Sequence, residues 1–223
     1  MLHVPAVLDA AALADVRTLL AGAHWADGRA TAGHLSATVK HNRQLGEDDP
    51  LALQAGTLVL DALARHPMFA AGVLATSISA PLFNRYEGGE TYGDHIDGAI
   101  RPLAKGRMRA DLSATLFLSD PGSYAGGDLI IAAPGGESAV KLAAGDMIVY
   151  ASGARHRVSP VTQGRRDAAV MWIQSLVRDP QQRGMLFELD QTIQSLRADD
   201  AGDSHVLALT GLYHNLLRLW SEP

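Results

Sequence analysis

The sequence predicts an α+β fold with a mainly β core, an antiparallel sandwich or barrel flanked by N-terminal helices and closed by a small helical appendage. Two changes of hydrophobic period carry that reading. Up to Arg65 apolar residues recur at helical spacing. From Ile78 onward the chain breaks into short apolar runs separated by turn sequences: Gly88-Gly89, Asp120-Pro121-Gly122, Gly126-Gly127, Pro134-Gly135-Gly136 and Ala144-Gly145-Asp146. Such spacing marks many short antiparallel strands. After Val177 the pattern returns to helical. The expected boundaries are 1–75 for the helical support, 76–177 for the core and 178–223 for a C-terminal helical subdomain.

Taken in order, Asp9 is the expected N-cap of a helix over about 10–22, with Leu13, Val16 and Leu20 at helical spacing and Gly22 near its end. This helix should cover the sheet. His24, His34 and His41 follow in a polar stretch without the two- or four-residue spacing that would pair them as ligands, so surface roles are expected. Pro50 to Arg65 reads as a second helix, with Leu51, Leu58 and Ala62 on one side and Pro67 as its stop. Beyond the core, one helical pattern runs from about Gln182 to Leu196 with Met185, Leu186, Leu189 and Ile193. Another runs from about Ser204 to Trp220 with Leu207, Leu209, Leu212, Leu216 and Leu219, and Asp203-Ser204 can cap it. So small an appendage is not stable alone; it must pack on the barrel or on another subunit. A homodimer through these helices is the expected assembly. His205 and His214 on the second helix are expected to be surface or packing residues.

Composition narrows the function. The chain has 223 residues, 47% of them hydrophobic, and a formal net charge of −5 with a pI near 5.9. It can bury a sizeable core, but it lacks the basic face a nucleic-acid partner would require. Cysteine is absent, which excludes disulfides, iron–sulfur clusters and thiolate zinc sites and leaves histidine and carboxylate as the strong ligands. The N-terminus lacks a basic region followed by a long apolar run, and no segment is apolar for long enough to span a bilayer. No membrane association is expected, and the cytoplasm is the expected location.

The stretch from Tyr86 to Arg166 carries the chemistry. On an extended strand alternate side chains share a face, so His95 and Asp97 can point at one metal. His156 is the best third ligand, because it follows the apolar run Asp146-Met147-Ile148-Val149-Tyr150 and begins another. Two histidines and one carboxylate on one face of an octahedral metal leave the opposite face open, the arrangement of non-haem Fe(II) oxygenases. The open positions suit a 2-oxo acid and O2. If the oxo acid is 2-oxoglutarate, its far carboxylate needs a fixed cation, and an arginine fork matches it bidentately. Arg165 and Arg166 are adjacent, and only one of them can face the barrel interior. Two other readings keep the same residues: a non-catalytic sensor of iron, oxo acid or O2, and a zinc hydrolase, which would leave the arginine without a role. Between two of the strands, residues 98–109 carry four positive charges and no acid. A solvated loop is the default there, and the alternative is a lid over the metal that contacts an anionic or peptide substrate.

Several segments resemble the PKHD-type hydroxylases, bacterial relatives of the prolyl and lysyl hydroxylases. They are Tyr86 through Asp97 (YEGGETYGDHID), Asp111 through Leu118 (DLSATLFL), His156 to Arg166, and Trp172-Ile173-Gln174-Ser175. The resemblance extends to Trp25 through Gly33 and to Tyr213 through Arg218, and so covers nearly the whole chain. It implies a double-stranded β-helix (jelly roll) and an Fe(II)- and 2-oxoglutarate-dependent dioxygenase that hydroxylates an unactivated C–H bond, with L-ascorbate keeping the iron reduced. It makes His95, Asp97 and His156 the iron ligands, selects Arg166 as the 2-oxoglutarate anchor and places Tyr86 beside the cosubstrate. Gly98 departs from the Asn expected after the His-x-Asp pair, which puts a substrate-side contact in doubt. Some members are linked to iron uptake. The substrate class stays open among a peptidyl proline or lysine, a free amino acid and an iron-chelating small molecule.

Overall fold

A computed structural model describes residues 1–31, 38–103, 106–199 and 204–222. Asp9 starts the first helix because its carboxylate accepts from the Ala12 N–H at 2.8 Å, satisfying one of the donors that a helix start leaves open. Helix α1 (Ala10–Gly22) turns Leu13, Val16 and Leu20 inward as their spacing predicts. Asp49 caps α2 (Pro50–Arg65) through Leu51 and Ala52. Its buried stripe is Ala52, Ala55, Gly56, Val59 and Leu63; the expected Leu51, Leu58 and Ala62 are only half-buried at its edges. Small residues at the centre of the contact explain the shift, since a Cβ at Gly56 would already lie 3.4 Å from the Pro81 ring. Helix α2 ends before Pro67, as expected, but helical structure resumes there at once. Pro67 opens α3 (Pro67–Val73), and His66 serves as C-cap of α2 and N-cap of α3, its Nδ1 accepting from the Phe69 N–H at 3.3 Å. Proline at a first turn is compatible with either outcome, because that N–H is unpaired anyway.

Two antiparallel sheets follow. The larger, of nine strands, runs Leu2–Val4, Met147–Ala151, Leu112–Phe117, Val161–Ser175, Leu82–Glu87, Arg43–Leu45 and Trp25–Asp27, with Tyr124–Gly126 and Ala75–Ile78 also paired to the long strand. The smaller, of five, runs Gly136–Val140, Leu129–Ala133, His156–Val158, Thr91–His95 and Lys40–His41. Period-two alternation then separates two cores. Leu112, Ala114, Leu116, Phe83, Met147, Val149, Ala169 and Met171 pack with α1 and α2 on the outer face of the large sheet. On its inner face Phe117, Tyr86, Ile148 and Tyr150 meet Leu129, Ile131 and Val158 of the small sheet.

The segment 98–109, with a solvated loop as its default, holds a two-stranded hairpin, Ile100–Pro102 with Arg107–Arg109. Its strands are three residues long, too short for their alternation to be told from chance. Ala104 and Lys105 lie outside the described residues.

At the end of the long strand, Arg183 is buried and donates from Nη1 to the Val177 carbonyl at 2.6 Å, tying α4 (Pro180–Asp199) to the sheet. Leu186 and Ile193 are buried, whereas Met185 of the expected apolar face is exposed. Phe187 lies against α3 at Gly72. Helix α5 (Ser204–Trp220) buries Val206 and leaves Leu207, Leu212 and Leu219 exposed, so only part of its leucine pattern marks an inner face. Asp203, the expected cap, lies outside the described residues, as does His34. His24, His41, His205 and His214 are exposed. No described helix is long and apolar enough to cross a membrane.

Leu186 therefore docks the appendage and Leu53, half exposed on α2, docks nothing. Leu186→Ala should lower the unfolding free energy by about 2–5 kcal/mol, and Leu53→Ser should change it by about 0.5 kcal/mol or less, both read from urea unfolding.

Candidate metal and cosubstrate site

The Thr91–His95 strand and the His156–Val158 strand are neighbours, with His95 opposite His156. Their rings lie 4.2 Å apart, centroid to centroid. The strand ends at His95, so Asp97 stands on the loop beyond it rather than on the strand expected to carry it. The turn still returns its carboxylate: ligand atoms of His95, Asp97 and His156 all lie within 4.8 Å of one another.

Each group is held for ligation by a backbone or side-chain partner. His95 Nδ1 is 2.8 Å from the Gly93 carbonyl and His156 Nδ1 is 2.9 Å from the Ala154 carbonyl. A carbonyl only accepts, so both Nδ1 atoms carry the proton and both Nε2 atoms keep a lone pair directed at the cluster. His156 Nε2 is 3.8 Å from Asp97 Oδ2. Burial, and then the charge that His156 would carry, push the pKa of His95 down, which favours the neutral, ligating imidazole. The Tyr92 ring stacks on His95 at 3.7 Å and fixes its plane. Asp97 Oδ2 accepts from Ser113 Oγ at 2.5 Å, and Ser113 Oγ is 2.9 Å from Ser152 Oγ.

The cluster lines a cavity of about 470 Å³ between the two sheets, and Tyr86, Tyr150 and Arg166 line it too. Such a volume falls in the range of small-molecule sites. Strand alternation decides between the two arginines: Arg166 is 1% exposed and faces inward, whereas Arg165 is exposed and lies 3.3 Å from Asp167. That register is locked from the outer face, where Asp167 takes two hydrogen bonds from Arg85, at 2.8 and 3.0 Å. Gly127 lets the chain pass close over the buried side chain. Its φ is +68°, and a Cβ there would stand 3.0 Å from Arg166 Cδ.

The buried Arg166 lies over the Tyr86 and Phe117 rings at 5.4 and 5.3 Å. Its Nε and Nη2 have no hydrogen-bond partner among the described residues. A buried guanidinium without an anion is costly, so the observation points to a bound carboxylate as its partner. Burial pushes the Tyr86 phenol up to about 12, leaving it a neutral donor at physiological pH. The Tyr150 phenol is raised too, by burial and then by the Asp97 charge, while Arg166 opposes the shift. Tyr150 thus feels both Asp97 and Arg166, one at the cluster and one at the arginine end.

These features match the comparisons with known proteins. A sequence model of the 2OG-Fe(II) oxygenase superfamily matches residues 81–174, and one of the PKHD-type hydroxylase C-terminal domain matches residues 180–222. A PKHD-type hydroxylase of Stenotrophomonas maltophilia (strain R551-3) is 52% identical over 223 residues, covering 100% of this chain and 99% of the relative. One from Paraburkholderia xenovorans is 51% identical over 226 residues, covering 100% of both. The chain belongs to the PKHD-type hydroxylase family.

As a member of that family it is an Fe(II)- and 2-oxoglutarate-dependent hydroxylase, and its paired sheets form the double-stranded β-helix. Solved structures agree on the fold. An oxidoreductase of the 2OG-Fe(II) oxygenase family from Burkholderia pseudomallei aligns with a TM-score of 0.55 at 22% identity, covering 78% of this chain and 83% of that one. A prolyl hydroxylase from Trichoplax adhaerens aligns with a TM-score of 0.57 at 14% identity, covering 77% and 82%.

Sequence reading missed Ser113, Lys40 and Trp172, which line the cavity, and Ser152 behind Ser113; Arg101 entered it only as one of four charges on a lid that could contact an anionic or peptide substrate. Ser113 had a signal, since it and Thr115 are the two hydroxyl residues of the otherwise apolar run Leu112–Phe117 and share one face. Because partners behind metal ligands typically carry a 10- to 100-fold effect, Ser113→Ala should weaken divalent-metal binding by about 10- to 100-fold. A Co(II) absorbance titration checks this, and unchanged affinity would show that Asp97 does not rely on the serine.

Proposed function

We propose that His95, Asp97 and His156 are the iron ligands and that Arg166 anchors the far carboxylate of 2-oxoglutarate. The observation that carries this is the pairing, in one cavity, of a three-ligand cluster with a buried guanidinium whose Nε and Nη2 have no acceptor among the described residues. The donor set fits: two neutral imidazoles and a carboxylate suit Fe(II) and leave coordination positions open. When bound, iron and the oxo acid supply the oxidation of an unactivated C–H bond by O2. The chain does the rest. Tyr86 lies beside the arginine, where its neutral phenol can donate to the same carboxylate. Ser113 and the two backbone carbonyls hold the ligand atoms in register, and the paired apolar walls keep water from the reacting centre. A zinc hydrolase would use the same three ligands but would leave Arg166 buried for no purpose.

The hydroxylated molecule is proposed to be a small molecule or a peptide that enters the cavity of about 470 Å³ between the sheets. A role in iron homeostasis is part of this reading and rests on the family resemblance alone, as does ascorbate as the reductant.

His95→Ala, Asp97→Ala and His156→Ala should each remove most Fe(II) binding while preserving the circular-dichroism spectrum, because the three side chains serve the site more than the core. Near-wild-type iron content in all three would reject the ligand set. Arg166→Ala leaves a buried carboxylate without its partner, a loss on the order of 2–5 kcal/mol, so the 2-oxoglutarate requirement should rise by roughly 30-fold or more with Fe(II) retained. Arg165→Ala should stay within about threefold of wild type, as its head group is exposed. Charge-transfer absorbance during an anaerobic 2-oxoglutarate titration reads both, and the reverse order would refute the anchor.

A further inference from the structure

The cavity holds cationic groups that iron and 2-oxoglutarate do not account for. Arg166 and Trp172 both face inward from the long strand, six residues apart and therefore about 20 Å apart along the backbone. A five-carbon diacid held at Arg166 is far too short to reach Trp172. There the Arg101 guanidinium, brought in by the hairpin, lies 3.5 Å from the centroid of the Trp172 ring. Stacking of this kind fixes the guanidinium plane and leaves its N–H edges for a bidentate acceptor.

No carboxylate pairs with Arg101 among the described residues, whereas Arg85, Arg109 and Arg157 each pair with one. The indole Nε1 of Trp172 is buried and has no acceptor among the described residues. Lys40, buried on the small sheet opposite Tyr92 in register, adds a second cation; its Nζ bonds Gln44 Oε1 at 2.7 Å. Burial, and next the Arg101 charge, lower its pKa to about 8, so the two positive groups act on one another across the cavity. Among the described lining residues Asp97 is the sole acid, and it belongs to the metal cluster. With the oxo acid on Arg166, the wall carries two further cations beside an apolar lining of Leu82, Ile96 and Val170.

We propose that Arg101, Trp172 and Lys40 form an oxyanion subsite, so that the hydroxylated substrate is an acid with an apolar body and not a lysyl side chain. The inference rests on Arg166 holding 2-oxoglutarate. An anion between the two cations relieves their repulsion, gives Trp172 Nε1 and the Arg101 fork their acceptors and orients the apolar body along the wall toward the iron ligands. A lysyl ammonium at the same place would add a third like charge.

The test uses the full chain loaded anaerobically with Fe(II) and 2-oxoglutarate, titrated with hexanoate, hexyl phosphate, hexanamide and hexylammonium and followed by charge-transfer absorbance and calorimetry. One or both anions should bind about tenfold or more tighter than the amide, with hexylammonium weakest. Whichever anion leads identifies the oxyanion as carboxylate or phosphate. Arg101→Gln, on an exposed hairpin and read beside its circular-dichroism spectrum, should abolish the preference; Arg101→Lys should keep part of it; both should keep wild-type 2-oxoglutarate affinity. The proposal is overturned if no anion binds better than hexanamide, including the case in which nothing binds, or if Arg101→Gln leaves the preference intact. Loss of 2-oxoglutarate affinity in Arg101→Gln, with Arg166→Ala unaffected, would instead overturn the Arg166 assignment beneath it.

Discussion

A buried guanidinium that pairs with no carboxylate among the described residues is the constraint on which this molecule's arrangement depends. Arg166 could not be kept at 1% exposure by apolar packing alone, because desolvating a charge costs several kcal/mol. Its place is imposed by the strand on which it sits. Asp167 is held on the outer face by Arg85, which itself lies 3.9 Å over the Trp25 ring, and the inward direction of residue 166 follows from period two. Gly127 and the Tyr86 and Phe117 rings then close around it. The fold in effect holds an electrostatic demand that the proposed carboxylate of 2-oxoglutarate would answer.

The same logic organises the metal cluster. Ser113 and Trp172 are cross-strand partners, and Ser113 bonds Asp97, so the long strand carries the arginine at one point and the wall of the metal cluster six residues later. One strand thereby sets the spacing between the proposed cosubstrate anchor and the metal cluster. The small sheet supplies the two histidines already in their ligating tautomer, and the large sheet supplies the hydroxyl that orients the carboxylate. Relative motion of the two sheets would uncouple all three, which gives the second apolar core, around Phe117, Tyr150 and Ile131, a functional as well as a structural role.

Much of this was legible in the sequence, and the gaps have physical causes. The N-cap Asp9, Pro50 at a first turn, the turn glycines and the return of helical period after Val177 located the elements, because each is a local signal. The His-x-Asp pair, His156 and the two-arginine question could be posed from spacing, but which arginine faces inward required either a relative or a register. Helix faces were read less well. On α2 the small residues Ala52, Ala55 and Gly56 form the contact, and on α5 the leucines at 207, 212 and 219 point outward, so side-chain size misled where approach distance decides. Lys40, Arg101 and Trp172 come from three separate strands and meet only in three dimensions; no local pattern links them.

The most direct measurement is a crystal structure of the anaerobic complex with Fe(II) and 2-oxoglutarate. The expected density places iron on His95 Nε2, Asp97 and His156 Nε2, and the far carboxylate of the oxo acid on the Arg166 fork beside the Tyr86 hydroxyl. An oxo acid with that carboxylate on Arg101 or Lys40, and Arg166 still without an anion, would contradict the central claim.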